Sequence, residues 1–478
     1  MERTEARGPA NAGLILARLD RLTVWSMPYL FIGVIGLGFL FTFYDIFDIN
    51  VSFIQTCATI QPHCTPVNAG NYLGLPVLLN LVGYVIGTLM LSPLSDRFGR
   101  RDMLLVTLVI TGLGSLATAF VTNMSGFVLA RAITGIGIGA DLAIVNTYIN
   151  EVAPRSGRAK YTSLIFIMSA LGAFVGIWLG LLLTTPSTPF PLGLPFAGAG
   201  PHFTNGWQVM YIVGAVLAVV GVLLRIQLPE SPRWLVNHGR LDQAERVVSQ
   251  MESMAARRTT LADVRTPAPI EPESRAIPYA TIFRSPTYLK RTLLLLAMWF
   301  VSYVTVYAFA SGFTTLLSGL HYPPPEAGLI AAFGTVGFIL CAVVAYFWGE
   351  RLERKRWVPI SAILTLIGGL VVALAGQTFW LAVVGSMVVF FGFNLWVPIA
   401  YSWSTENYPT RARTTGFALV DGIGHLGGGI GILLIAPLIP YMNVMEAFLL
   451  IGLFLVIGAV IAQFGLNTRG RPLEELSP

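Results

Sequence analysis

"YINEVAPRSGR" over residues 148–158 and "WSTENYPTRAR" over residues 403–413 read as two copies of one phrase. Each holds a glutamate, a proline three residues on and an arginine seven residues on: Glu151, Pro154 and Arg158, then Glu406, Pro409 and Arg413. A second phrase is also doubled. "LSPLSDRFGRRDML" supplies Asp96, Arg97, Arg100 and Arg101, and "YFWGERLERKRWV" supplies Glu350, Arg351, Arg354 and Lys355. Such spacing describes a chain of two similar halves, and what flanks each phrase decides what is repeated.

The flanks are apolar. The 478-residue chain is 55% hydrophobic and 11% charged, against about 25% charged in soluble domains. Runs long enough to cross a bilayer, about 20 residues, occur at 29–51, 72–93, 103–122, 126–148, 162–184, 207–227, 292–315, 326–347, 357–375, 379–401, 414–436 and 444–464. The predicted fold is an all-α membrane protein, twelve transmembrane helices in two pseudo-symmetric six-helix bundles. Residues 29–227 and 292–465 form the bundles; 1–28 is a cytosolic leader, 228–291 a cytosolic linker with short amphipathic helices, and 466–478 a cytosolic tail. Parallel repeats of this kind are related by an axis along the membrane normal.

Charge fixes the orientation. Of the 30 Lys and Arg, all but Arg131 fall in the tails, in every second connection or at the edges of those segments. The positive-inside rule then places both termini in the cytosol. The net charge of +6 reflects topology and argues against a nucleic-acid partner. The first apolar run is too long for a cleavable signal, and the leader's "ILARLDRL" predicts an amphipathic helix on the inner membrane surface. Cys57 and Cys64 share the first outer loop, either as a disulfide or as two free thiols; no spacing suits a metal site.

Five stretches resemble the major facilitator superfamily, and more narrowly its sugar-porter and metabolite:proton symporter branches: "SDRFGRR", "YINEVAP" with Arg158, "PESPRWLVNHGRLDQAE", "ENYPTRARTTG" and "NTRGRPLEE". They stand in order at the expected connections, and "RLDRL" followed by "FYDIFDI" looks most like the metabolite:proton branch. The resemblance implies a monomeric secondary transporter of the cell membrane, working by alternating access without a cofactor. Its partners would be protons, a small-molecule substrate and the lipid bilayer. Proton-coupled uptake is the leading expectation, with export by antiport or a non-transporting nutrient sensor as alternatives. No nucleophile–base spacing, phosphate loop or metal set suggests an enzyme.

Charged groups at the inner ends are expected to latch the cytosolic side. One set is Asp96, Arg100, Arg101, Glu151 and Arg158, the other Glu350, Arg354, Glu406 and Arg413, with Glu230 and Arg233 in "PESPRWL" beside them. Single exposed ion pairs contribute only about 0–1 kcal/mol, but two networks approach the gap between two conformers.

Charge inside the membrane marks function. At 1.5 Å per residue, Asp45 lies roughly 24 Å above the inner end of its span, and Arg131 roughly 8 Å below the outer end of its own. In a core about 30 Å thick they share a level, which predicts a proton-releasable Asp45–Arg131 pair. Asp48 neighbours Asp45 on one face, joining the proton site or reaching the outer vestibule. Asp141 in "GIGIGADL" matches an acid position of phosphate and metabolite symporters and is expected at the substrate. Asp421 and His425 in "DGIGHLGGGIG" share a helical face and are expected to form a charged pair there.

The pocket departs from hexose carriers. Phe166 stands where those have a glutamine, "WFVSYVTVYAF" replaces an amide-rich motif, and Tyr401 takes a tryptophan position. Trp299, Tyr303 and Tyr307 form an i, i+4, i+8 stripe; with Phe166, Trp396 and Tyr401 they predict an aromatic pocket. Hexoses need polar partners for their hydroxyls, so an organic anion or aromatic metabolite is expected instead.

Overall fold

The computed structural model describes residues 9–154, 158–264, 278–376, 378–409, 412–469 and 471. Ahead of the first span lies α1 (Pro9–Asp20). The first half contains α2 (Tyr29–Ile60), α3 (Gly70–Ile86, prolonged by a π-helical turn over Gly87–Leu91), the short α4 (Leu94–Phe98), α5 (Arg100–Ala119), α6 (Met124–Val152), α7 (Arg158–Thr184) and α8 (Gly206–Arg225). The connection holds α9 (Pro232–Asn237), α10 (Leu241–Ala256) and α11 (Pro278–Arg284). The second half runs through α12 (Pro286–Ala310), α13 (Phe313–Gly319), α14 (Pro324–Trp348), α15 (Trp357–Ala375), α16 (Phe379–Leu395), α17 (Val397–Glu406), α18 (Arg413–Ile435) and α19 (Val444–Gln463). Among the described residues, 12 helical segments are long and apolar enough to cross a membrane, matching the twelve runs read from sequence.

Three crossings differ from the expected lengths for physical reasons. The first runs to Ile60, with Ser52 and Thr56 returning their hydroxyls to carbonyls one turn back. The seventh starts at Pro286, earlier than expected, and breaks at Ser311–Gly312 before α13. The tenth breaks at Trp396, where Pro398 cannot donate to the preceding turn.

Small residues let the helices close up. A Cβ on Gly135 would lie 1.9 Å from the Asn80 carbonyl, and one on Gly139 2.0 Å from the Tyr84 carbonyl, so α6 meets α3 backbone to backbone. Asn80 Nδ2 fastens the contact by donating to the Arg131 carbonyl (2.9 Å).

The leader helix α1 docks on α9 and α10 and buries Ile15 and Leu19, with Leu22 just beyond it also buried. Arg18 Nη2 pairs with Glu252 at 2.6 Å and Arg21 Nη2 with the same carboxylate at 2.8 Å. Arg18 also pairs with Glu245. Cys57, near the end of α2, and Cys64, just beyond it, form a disulfide. The Pro-rich stretch at 266–273 and most of the tail lie outside the described residues.

Candidate functional site

The depth argument holds. Arg131 on α6 donates through Nη1 to Asp45 Oδ1 (2.7 Å) and through Nη2 to the Asp45 carbonyl (2.9 Å). Its guanidinium lies over the Tyr211 ring, 5.6 Å from the centroid. Asp48, one turn along α2, is completely buried rather than directed to an outer vestibule. Neither of its oxygens has a hydrogen-bond partner, nor do Asp45 Oδ2 and the Tyr211 hydroxyl. Two carboxylates therefore share one guanidinium, already committed to one of them.

Asp141 is placed differently from expectation. Arg225, at the end of α8, closes on its carboxylate: Nη1 pairs with Oδ1, and Nη2 reaches Oδ2 at 3.2 Å. Thr107 Oγ1 adds a hydrogen bond to Oδ1 (2.8 Å). Arg225 further donates to the carbonyls of Leu104 and Ile35, so one side chain ties α2, α5, α6 and α8 together. A Cβ on Gly38 would sit 1.9 Å from Asp141 Oδ2. The acid is sealed inside the first bundle and presents no free face to a substrate. Sequence reading counted Arg225 as an inner-edge charge; its place at the end of an apolar run concealed a buried role.

The expected aromatic stripe forms. Ring centroids are 5.0 Å apart for Trp299–Tyr303 and 5.7 Å for Tyr303–Tyr307. Trp396, presented by the break between α16 and α17, lies 4.7 Å from Trp299. Tyr401 meets Trp299 at 5.6 Å and Phe166 of the first half at 5.2 Å, both edge-on. Trp299 Nε1 donates to Ser404 Oγ (2.8 Å), fixing its indole.

Asp421 and His425 join this cluster, but not as a directly bonded side-chain pair. Tyr84 donates to Asp421 Oδ2 (2.8 Å) and Tyr303 to Oδ1 (3.2 Å). His425 Nδ1 lies 2.6 Å from the Asp421 backbone carbonyl and 3.6 Å from its Oδ1. The imidazole stacks on Tyr84 at 4.0 Å and leans on Tyr303 at 4.2 Å. Tyr84 comes from α3, so the acid is shared between halves; sequence reading missed it because a lone tyrosine in an apolar run carries no spacing signal. The cluster offers aromatic faces, phenols, one acid and one imidazole at the join of the two bundles, and none of its side chains is an amide.

Each of the two charged sets forms pairs within its own half. Arg100 pairs with Glu151 (3.1 Å) and Asp96 (2.5 Å); Arg354 pairs with Glu406 (3.3 Å) and, at 3.9 Å, with Glu350. Arg100–Glu151 and Arg354–Glu406 each lie within one half. Arg101 does not turn toward Glu151; Nη2 donates to the Ile226 carbonyl (2.7 Å). Glu230 accepts the backbone N–H groups of Arg100 (2.9 Å) and Ser231 (2.8 Å) and caps α5. Burial pushes the Glu230 carboxyl above its ordinary value, and the backbone donors only partly offset this. Arg233 pairs with Asp20 behind α1. Arg413 Nε donates to the Thr405 carbonyl (3.2 Å). The Arg158 side chain lies outside the described residues, and its expected contact with Glu151 with it. Glu353, not singled out from sequence, accepts the Thr468 N–H (2.9 Å), while Thr468 Oγ1 donates to Glu406.

Two six-helix bundles, doubled charged networks at one end and a polar–aromatic cluster at their join define a secondary transporter of the major facilitator fold, an integral membrane protein and not an enzyme. The chain belongs to the family described as "Sugar (and other) transporter", which matches residues 30–478. It is 26% identical over 470 residues to the niacin transporter NiaP of Acinetobacter baylyi, covering 97% of this chain and 99% of that protein. It is 29% identical over 364 residues to the 4-hydroxybenzoate transporter PcaK of Pseudomonas aeruginosa, covering 75% and 76%. The fold matches the xylose transporter XylE from E. coli in a partially occluded inward-open conformation, with a TM-score of 0.70 at 20% identity over 93% of this chain and 100% of that one.

Proposed function

We propose that this transporter takes up a small aromatic carboxylate together with a proton, across the cell membrane, with both termini in the cytosol. The observation that carries proton coupling is the buried trio of Asp45, Asp48 and Arg131. Two acids and one guanidinium are uncharged together only with one proton aboard, and an uncompensated charge there would be strongly unfavourable. Arg131 holds Asp45, so the proton belongs on Asp48.

The solute class rests on the central cluster. Trp299, Tyr303, Tyr307, Trp396, Tyr401 and Phe166 supply ring faces for offset or edge-on packing, and His425, when protonated, supplies a donor for a carboxylate, while the Tyr84 and Tyr303 hydroxyls are committed to Asp421. Niacin and 4-hydroxybenzoate, named for two relatives, are small aromatic acids of this kind. A pentose or hexose, which needs several polar partners, finds fewer here.

Purified protein in liposomes, given an inside-alkaline pH gradient, tests this directly. Saturable accumulation of labelled nicotinate or 4-hydroxybenzoate, with xylose excluded, is the expected result. Saturable xylose uptake with neither aromatic acid carried would overturn the solute assignment.

A further inference from the structure

A groove lies at the end of the molecule opposite the charged networks, where α3 of one half meets α13 and α18 of the other. Its open volume is about 410 Å³, within the roughly 300–1,000 Å³ usual for ligand clefts. Leu73 walls it from α3. Leu316 of α13, Ile432 of α18 and Ile439, in the 3₁₀ turn Ala436–Tyr441 that prolongs α18, wall it from the other half. Gly70 and Gly312 put no side chain into the space. The walls on α3 and α18 belong to segments apolar enough to cross a membrane, Gly70–Leu91 and Thr415–Tyr441. Leu433, Leu434 and Leu438, on the same stretch of chain as Ile432 and Ile439, are exposed. In a bilayer such side chains meet acyl chains of equal polarity, so the groove continues the lipid-covered surface. One polar group interrupts it. Thr315 lines the groove, is 2% exposed, and its hydroxyl has no hydrogen-bond partner. Ser52 and Thr56, by contrast, satisfy theirs on backbone carbonyls. A hydroxyl left unpaired in apolar surroundings is costly.

We propose that this groove binds one acyl chain of a membrane phospholipid, with the Thr315 hydroxyl donating to that chain's ester carbonyl and the sister chain lying along Leu434 and Leu438. The chemistry is matched on both sides. The hydroxyl is a donor without a protein acceptor, and an ester carbonyl is an acceptor without a donor of its own. The depth agrees, because Gly70 begins its crossing and so places the groove at the margin of the hydrocarbon core, beside the headgroup region where ester linkages lie. Charge selects a phospholipid over a free fatty acid. Among the described residues that line the groove, none is a cation, so a fatty carboxylate would enter without a counter-charge. The site needs only the membrane-spanning fold; it stands whatever the solute and whichever acid carries the proton.

Full-length protein in nanodiscs, doped with an ester-linked phospholipid that carries a diazirine on one acyl chain, tests this. After irradiation, peptide mass spectrometry should find saturable adducts on residues 67–73, 308–319 and 432–440. Labelling there should exceed that of α5, whose Val109 and Leu113 are exposed and meet only bulk lipid. The ether-linked analogue, which lacks the carbonyl, should label the groove roughly fivefold less, the worth of one hydrogen bond. Thr315→Val should label weakly with both probes and lose the preference between them. Ala436→Phe, which fills the groove, should abolish its adducts and leave those on α5 unchanged. If Ala436→Phe fails to fold, Thr315→Val and the ether probe decide the question. Groove labelling no stronger than that of α5, or equal labelling by ester and ether probes in the parent, would overturn the site. Displacement of the probe by equimolar oleate would overturn the choice of a phospholipid.

Discussion

Arg131 gives both of its terminal nitrogens to Asp45, one to the carboxylate and one to the backbone carbonyl, and leaves Asp48 without a bonded oxygen. The two acids stand one turn apart on α2, yet their environments are opposite: one is held by a cation and the other is buried with no donor. Their substitutions should therefore behave in opposite ways. Asp45→Asn leaves Arg131 buried without its counter-charge and should destabilise the protein by about 3–5 kcal/mol. With the proton on Asp48, as proposed, Asp48→Asn exchanges a neutral acid for a neutral isostere and should leave stability close to the parent. Thermal unfolding in detergent measures both; equal destabilisation would mean that Asp48 is ionised in the resting protein.

The Asp141–Arg225 pair is a staple of the first bundle, and the prediction follows from its completeness. Asp141→Leu should strand Arg225 and destabilise by about 3–5 kcal/mol, whereas the double substitution Asp141→Leu with Arg225→Met should recover most of that loss. A double-mutant cycle on melting temperature reads the coupling. Solute affinity in the folded double variant should stay within about twofold of the parent, a change far below the tenfold step of about 1.4 kcal/mol. A large loss of affinity would return Asp141 to the binding site.

In the central cluster, Tyr303 holds Asp421 and also lies against His425. Tyr303→Phe keeps the ring but frees one carboxylate oxygen, so KM for the aromatic acid should rise about tenfold by loss of a charge-assisted hydrogen bond. Trp299→Leu removes a ring face and should raise KM by a similar factor. Uptake kinetics in liposomes would show either change, and an unaltered KM in both variants would place the solute elsewhere.

Acid should loosen the leader. Burial works to raise the Glu252 carboxyl, but its hydrogen bonds with Arg18 and Arg21 outweigh it and hold it below its ordinary value. A depressed carboxylate contributes stability that is complete above its unfolded value, near 4.3, and is lost as pH falls through the folded value. Hydrogen exchange over residues 9–20 should stay slow from pH 7 to about 5 and quicken in stronger acid. Glu252→Gln should show fast exchange throughout; a leader that stays protected in that variant would be held by its apolar face alone.

What was legible in the sequence depended on signals that survive without knowing how helices are rotated. Length and hydropathy located twelve crossings, and depth along two of them paired Asp45 with Arg131. The i, i+4, i+8 stripe likewise described one helix face and needed no neighbour. Arg225 and Tyr84 escaped because each acts across a helix pair, and only the packing angle reveals that Arg225 reaches Asp141 or that Tyr84 reaches Asp421. The doubled Glu–Arg phrases were correctly read as a repeat, but spacing alone does not distinguish a bond within one half from a bond between halves. In the structure, Arg100–Glu151 and Arg354–Glu406 are both internal.

Proton entry coupled to solute entry tests the central claim most directly. Liposomes holding a pH-sensitive dye and the purified transporter would be given nicotinate or 4-hydroxybenzoate outside, with the membrane potential clamped and leak of the undissociated acid subtracted using protein-free liposomes. Internal acidification matched to solute uptake is expected with the parent protein. Asp48→Asn is expected to exchange labelled for unlabelled solute but to move no protons with it. Saturable solute uptake by the parent without acidification, or full acidification and gradient-driven accumulation by Asp48→Asn, would contradict proton coupling through Asp48.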